Sequence, residues 1–217
     1  MKRNYQIDTA APIVSQDLFK QIAFHEAGHA AGIYLYNKQQ QLPSLSFQIT
    51  QSVDKLLILS DTSPQDHFVA GVEGGYLIDN LPVSLIESAS YFSTTGEDAY
   101  QMAFEADMIN LLVGALAEAK HVALREGDYF NVSKAASNTL PLYGGTSDLI
   151  KVNDYLERFI ACSKKREDRM VELLTKAFEF LDTIENWNAI ERLANYILAR
   201  KVSTISCEEA IAVLDNA

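Results

Sequence analysis

The chain has 217 residues, 48% hydrophobic and 22% charged, a composition that excludes a disordered or collagen-like polymer and suffices for a core without disulfide or metal staples. Eighteen basic residues against 29 acidic ones leave a net charge of −11, which repels nucleic-acid phosphates and anionic lipid and argues against nucleic acid as a partner. Two isolated cysteines, Cys162 and Cys207, form no CxxC pair. The N-terminus lacks the apolar stretch of a secretory signal, and no run approaches the roughly 20 apolar residues of a transmembrane helix. A soluble, cytoplasmic protein is the expectation.

In chain order, the first 14 residues are polar and end in Ala10-Ala11-Pro12, which predicts a flexible lead-in to one domain over residues 15–217. A helix is predicted from Ser15 to about Tyr36: Ser15 can cap it, Asp17 suits its positive end, and Leu18, Phe19 and Ile22 recur at helical spacing. Pro43 breaks the chain, and residues 45–50 alternate apolar and polar, the pattern of a half-buried strand. Residues 55–60 predict a second strand paired with it. Across residues 61–93, Pro64, Pro82 and Gly71-Val72-Glu73-Gly74-Gly75 predict turns around short strands. A long helix follows from Thr94, which stands at capping-box spacing from Glu97, to near Gly127, with Met108, Leu111, Leu112 and Leu116 on it. Residues 128–145, with Pro141 and Gly144-Gly145, predict a loop. Helices are then predicted over about 146–162, 165–181 and 186–201, and a short one opens at Ser206 with Glu209 at capping-box spacing. There is no internal repeat and no low-complexity linker.

Residues 25–29 read His25-Glu26-Ala27-Gly28-His29. On a helix, positions four apart project from one face, so both imidazoles can reach a single metal ion. Neutral imidazole suits zinc, and Glu26 beside it can act as general base toward an attacking water. The same histidines packed in an ordinary helix among Ala27, Ala30 and Ala31 would need other partners for their polar atoms. Gly28 lowers helix propensity by about 1 kcal/mol relative to alanine, which reserves the position for close approach of another backbone or of a substrate. A catalytic zinc takes three protein ligands. The third could be His67, His121 or any of the 29 carboxylates, and spacing does not choose among them.

The run Phe24-His25-Glu26-Ala27-Gly28-His29-Ala30 resembles the HEAGHA signature of the FtsH-type zinc proteases, the peptidase half of membrane-bound AAA proteases. Two later segments resemble that family in the same order. Leu111-Leu112-Val113-Gly114-Ala115-Leu116-Ala117-Glu118 is similar to its AGxxAE helix, and Gly144-Gly145-Thr146-Ser147-Asp148-Leu149 to its GASNDL segment. In the family the aspartate of that segment is the third zinc ligand, which implies Asp148 here. Residues 166–214 resemble the closing helices, including Trp187-Asn188-Ala189-Ile190 and the segment capped by Ser206. The resemblance runs from about residue 17 to the end and is weakest across 51–93.

Two departures qualify it. The 24 residues before His25 leave no room for the family's ATPase module, and no GxxxxGK[ST] loop occurs. Residues 51–93 and 121–140 are longer than the family's usual connections. The predicted elements give an α+β, predominantly α-helical fold with a small β-sheet, and the resemblance implies a zincin-like HExxH helix and a C-terminal helical bundle within it. It implies zinc held by His25, His29 and Asp148, with Glu26 as the catalytic base of a stand-alone metallopeptidase acting on peptides or unfolded protein. A non-cleaving, zinc-containing peptide-binding or regulatory module is the alternative, and a homo-oligomer or a partner ATPase is left open.

Weaker features complete the reading. Glu118 matches a family position and either packs the helix or hydrogen-bonds a ligand. Gly74-Gly75-Tyr76 reads as a turn or as a strand edge open to a peptide. Lys164-Lys165-Arg166 reads as a solvated charge cluster, and no GxSxG supports a serine triad.

Overall fold

Helix α1 (Ser15–Ala31) forms the axis of the molecule. In this computed structural model, which describes the backbone of residues 15–56, 65–78, 94–131, 139–200 and 203–216 and the side chains of 16–52, 68–78, 100–131, 139–200 and 203–216, every residue from Ile22 to Ile33 is buried. A helix buried on all sides carries no amphipathic stripe. Its walls are the long helix α2 (Thr94–Arg125), the later helix α5 (Ile184–Ala199) and strand β2 (Gln65–Gly74). Small residues let α1 and α2 meet backbone to backbone. A Cβ at Gly28 would stand 2.8 Å from both the Ala117 Cβ and the Val113 carbonyl oxygen, so the close approach expected at Gly28 is that of α2. Beyond Ala31 the helix widens into a π-turn (Gly32–Tyr36) and closes with a last helical turn (Asn37–Gln39).

The sheet is antiparallel with strand order β2-β1-β3. Strand β1 (Phe47–Leu56) is longer than the alternating stretch that announces it; Phe47, Ile49 and Gln51 face inward while Gln48 and Ser52 are exposed. The second strand expected over residues 55–60 is corrected here. Residues 55 and 56 continue β1, residues 57–60 lie outside the described residues, and the partner of β1 is β2, within the segment expected to hold turns around short strands. The physical reason is a period-2 set of core residues, Phe68, Ala70 and Val72, all buried. Opposite them, Thr50 Oγ1 donates to the Gly71 carbonyl at 3.2 Å. The glycines act as punctuation only at the strand's end, where Gly74 and Gly75 have φ of +89° and +80°. The short β3 (Thr204–Ile205) pairs Ile205 with Ile49.

The rest is helical: α3 (Thr146–Phe159), α4 (Ser163–Asp182), α5 and α6 (Cys207–Asp215). The capping box predicted at Ser206 and Glu209 forms, each side chain bonding the other's backbone N–H. Helix α2 ends at Arg125, just before Gly127 with φ +68°. Within the predicted loop 128–145, a 3₁₀ turn (Leu140–Tyr143) precedes α3. The fold is α+β and mostly helical. The lead-in 1–14 and the side chains of Ser15, Thr94 and Glu97 lie outside what is described. Among the described residues no helix is long and apolar enough to cross a membrane.

Candidate metal centre

His25 and His29 sit one turn apart on α1, in its fully buried stretch, and Asp148 sits in the first turn of α3. The Nε2 atoms of the two imidazoles are 3.0 Å apart. Asp148 Oδ2 lies 3.1 Å from His25 Nε2 and 3.5 Å from His29 Nε2. Zinc bonds of about 2.0–2.1 Å in a tetrahedron place neighbouring ligand atoms about 3.3 Å apart. The three separations bracket that spacing.

The far side of each ring decides which nitrogen is available. His29 Nδ1 donates to the Asn110 carbonyl oxygen at 2.8 Å, and His25 Nδ1 donates to Glu118 Oε2 at 3.1 Å. With the protons on Nδ1, both Nε2 lone pairs point inward, toward each other and toward Asp148 Oδ2. One proton can satisfy only two of these three atoms, whereas a single cation would be held by all three. Asp148 Oδ1 is also buried without a hydrogen-bond donor. Burial raises the pKa of the Asp148 carboxyl, but the charge of a protonated His29 ring and the hydrogen bonds that protonated His25 and His29 rings donate outweigh it and hold the group well below the usual carboxylate range; with both rings neutral, a cation takes that place. The donor set of two imidazoles and one carboxylate therefore fits a divalent metal ion.

Glu26 projects toward the sheet. Its Oε2 accepts the Val72 N–H of β2 at 2.9 Å, and the residue is only 2% exposed. Asp107 of α2 holds the chain that leaves β2, its two oxygens accepting Leu77 N–H at 2.8 Å and Ile78 N–H at 2.9 Å. Between this segment and His29 lies a cleft walled by Val72, Gly75, Tyr76, Asp107 and Asn110, with room for about one water molecule. Gly114 completes the ring's seat, since a Cβ there would stand 2.4 Å from the His29 ring.

The structure thus brings His25, His29 and Asp148 together, sets Glu26 next in line, and places Glu118 behind His25. His121 is elsewhere: it stacks on Phe24 at 3.9 Å between ring centroids, on the side of α1 where Trp187 also packs. Burial, then the charges of Arg125 and Lys20, lowers the His121 pKa. The backbone of His67 lies in β2 five residues before Val72, about 17 Å along the strand, and its side chain is outside those described. Of the predicted basic cluster, Arg166 has a structural task, donating to the Ile160 and Ala161 carbonyls beyond α3. Asp107 and Asn110 escape motif reading. Their signal is polarity inside an apolar helical run, Asp107-Met108-Ile109-Asn110-Leu111-Leu112. Comparison with family models, with curated proteins and with solved structures yields no match.

Proposed function

We propose that this chain is a zinc metallopeptidase of FtsH-like type that cleaves peptides or unstructured polypeptide without ATP. The observation that carries the reading is the convergence of His25 Nε2, His29 Nε2 and Asp148 Oδ2 within 3.0–3.5 Å, with Glu26 adjacent on the same helix. Those three atoms would hold the ion. When bound, zinc supplies Lewis acidity, lowering the pKa of water and polarising a carbonyl. Glu26 takes a proton from the attacking water as its oxygen bonds to the carbonyl carbon, and returns a proton to the amine as the C–N bond breaks. Glu118 and the Asn110 carbonyl keep both rings in the tautomer that presents Nε2.

One observation favours the non-cleaving alternative. Glu26 is buried, its Oε2 already accepts Val72 N–H, and the cleft beside His29 is narrow. A module that binds zinc but admits no scissile bond would look like this. Turnover separates the two. Elemental analysis is expected to find about one zinc per chain, lost in the His25→Ala, His29→Ala double variant. Zinc-loaded wild type is then compared with Glu26→Gln on an unfolded protein and a peptide library, with and without ATP. The variant should keep its zinc and lose about 100-fold or more in rate. Zinc-loaded wild type that cleaves nothing would establish the non-cleaving module, and equal cleavage by both proteins would remove Glu26 from the chemistry.

A further inference from the structure

A groove of about 330 Å³ lies beside the metal centre, lined by Tyr76, Lys151, Asp154, Tyr155 and Arg158. Tyr76 is also a wall of the cleft next to His29, so the two depressions share a boundary. The far wall is α3 itself. Asp148, Lys151, Tyr155 and Arg158 stand at positions i, i+3, i+7 and i+10 of one helix and therefore on one face. From the ligand Asp148, Lys151 is about 4.5 Å along the axis and Arg158 about 15 Å.

Among the described residues, the two cations of this lining are not neutralised by a carboxylate, unlike several others in the chain. Lys38, Lys120, Arg169 and Lys176 each stand within ion-pair distance of a carboxylate. Lys151 instead donates to the Tyr76 hydroxyl at 3.4 Å and lies over its ring. Among the described residues, neither Lys151 nor Arg158 has a carboxylate within ion-pair reach. Asp154 is the single negative group in the lining, so the groove carries a net positive charge on a chain whose net charge is −11. Tyr76 orients Lys151 and excludes water from one side of it, which strengthens its attraction for an anion.

We propose that this groove is a carboxylate subsite, and that it selects polypeptide with Asp or Glu side chains one to five residues from the bond at the metal centre. An extended peptide advances about 3.3 Å per residue, so Lys151 meets a side chain one or two residues away and Arg158 one four or five residues away. The inference rests on the peptidase reading for where the bound chain is cut, but binding is measured without cleavage. A substrate's terminal carboxylate is a second source of the same chemistry, and the test separates the two.

Fluorescence anisotropy is measured on zinc-loaded Glu26→Gln protein with acetylated, amidated peptides of one length carrying two Asp, two Asn or two Lys, and with the Asn peptide bearing a free C-terminus. The Asp peptide should bind about tenfold tighter than the Asn peptide at low salt, with the Lys peptide weakest, and the preference should shrink in 0.5 M NaCl. Lys151→Gln and Arg158→Gln should each remove about threefold of that preference, and the double variant nearly all of it. Zinc content and melting temperature unchanged in these variants would show that the neighbouring centre is intact. Tight binding of the free-terminus Asn peptide alone would overturn the side-chain selection and assign the subsite to the chain end. Equal affinity for Asp and Asn peptides, or an Asp preference that survives in the double variant, would overturn the subsite altogether. Asp-selective binding by a wild type that never cleaves would defeat the peptidase reading and leave the subsite standing.

Discussion

The central pair of helices and the C-terminal ones obey different rules of polarity. In α4 and α5 the hydrophobic residues form a stripe, among them Leu173, Ala177 and Phe180 on one helix and Ile190, Leu193 and Ile197 on the other, and charges face water. In α1 and α2 there is no water-facing side over Ile22–Ile33, and little over Ala103–Ala119. A polar side chain there must find a partner inside or cost about 1–3 kcal/mol. His25 meets Glu118, His29 meets the Asn110 carbonyl, Glu26 meets Val72 N–H, and Asp107 meets two backbone N–H groups. In the outer helices polarity marks the surface; in the central pair it marks the site.

Substitutions that leave exposed helical faces untouched should therefore damage the centre most when they add a single methyl group. Gly114→Ala is expected to have the largest effect. Alanine gains about 1 kcal/mol of helix propensity, yet its Cβ would stand 2.4 Å from the His29 ring. Either the ring swings away or α1 and α2 separate, an overpacking cost of about 1–3 kcal/mol or more. A lowered melting temperature together with weakened metal binding is the expected result. A variant as stable as wild type, with the same affinity for metal, would show that the two helices are not in the tight contact described.

Next in size is Glu118. Removing it in Glu118→Ala strands the His25 Nδ1 proton in a buried site and frees the ring to turn. Loss of such a partner typically weakens metal binding about 10–100-fold. Glu118→Gln should retain most of the affinity, because its amide oxygen can accept the same hydrogen bond. Competition with a chelator ranks the three proteins. Equal losses in both variants would mean that the charge of Glu118, rather than its acceptor geometry, sets the affinity.

The same contrast explains what could be read from the sequence. The outer helices announce themselves by periodicity, and the box at Ser206 and Glu209 is a contact three residues long. The HExxH stretch is equally local. The partners of its residues are not: Glu118 is 93 positions from His25, and Asp148 is 123. Only the family resemblance pointed to Asp148, and spacing left His67 and His121 as equal candidates. Strand β2 was hidden for a related reason. Gly71 weakens its intrinsic strand character, and what holds it is pairing with β1 on one side and Glu26 of α1 on the other. Asp107 and Asn110 carry no motif, and their role depends on a segment that reaches them from β2.

The smallest expected effect tests the outer rule, where polar groups trade with solvent. Glu105 of α2 meets Arg169 at 2.7 Å and Lys176 at 2.5 Å, both on α4, with the Tyr36 hydroxyl at 3.5 Å. Burial raises the Glu105 pKa, but the hydrogen bonds and charges of Lys176 and Arg169 outweigh it and hold the carboxyl below its ordinary value. A depressed carboxylate pKa means that the folded state favours the ionised form. The stability it contributes is fully present above the unfolded value, about 4.3, and is lost as pH falls through the folded value. Glu105→Gln should thus cost about 1 kcal/mol at pH 7, and the difference from wild type should narrow at pH 3.5. Salt at 1 M should shrink it too, because Lys176 is 44% exposed. Melting temperatures of the two proteins at both pH values decide the matter. A difference that does not change with pH would mean that Glu105 acts through packing, by the rule of the central pair and not of the surface.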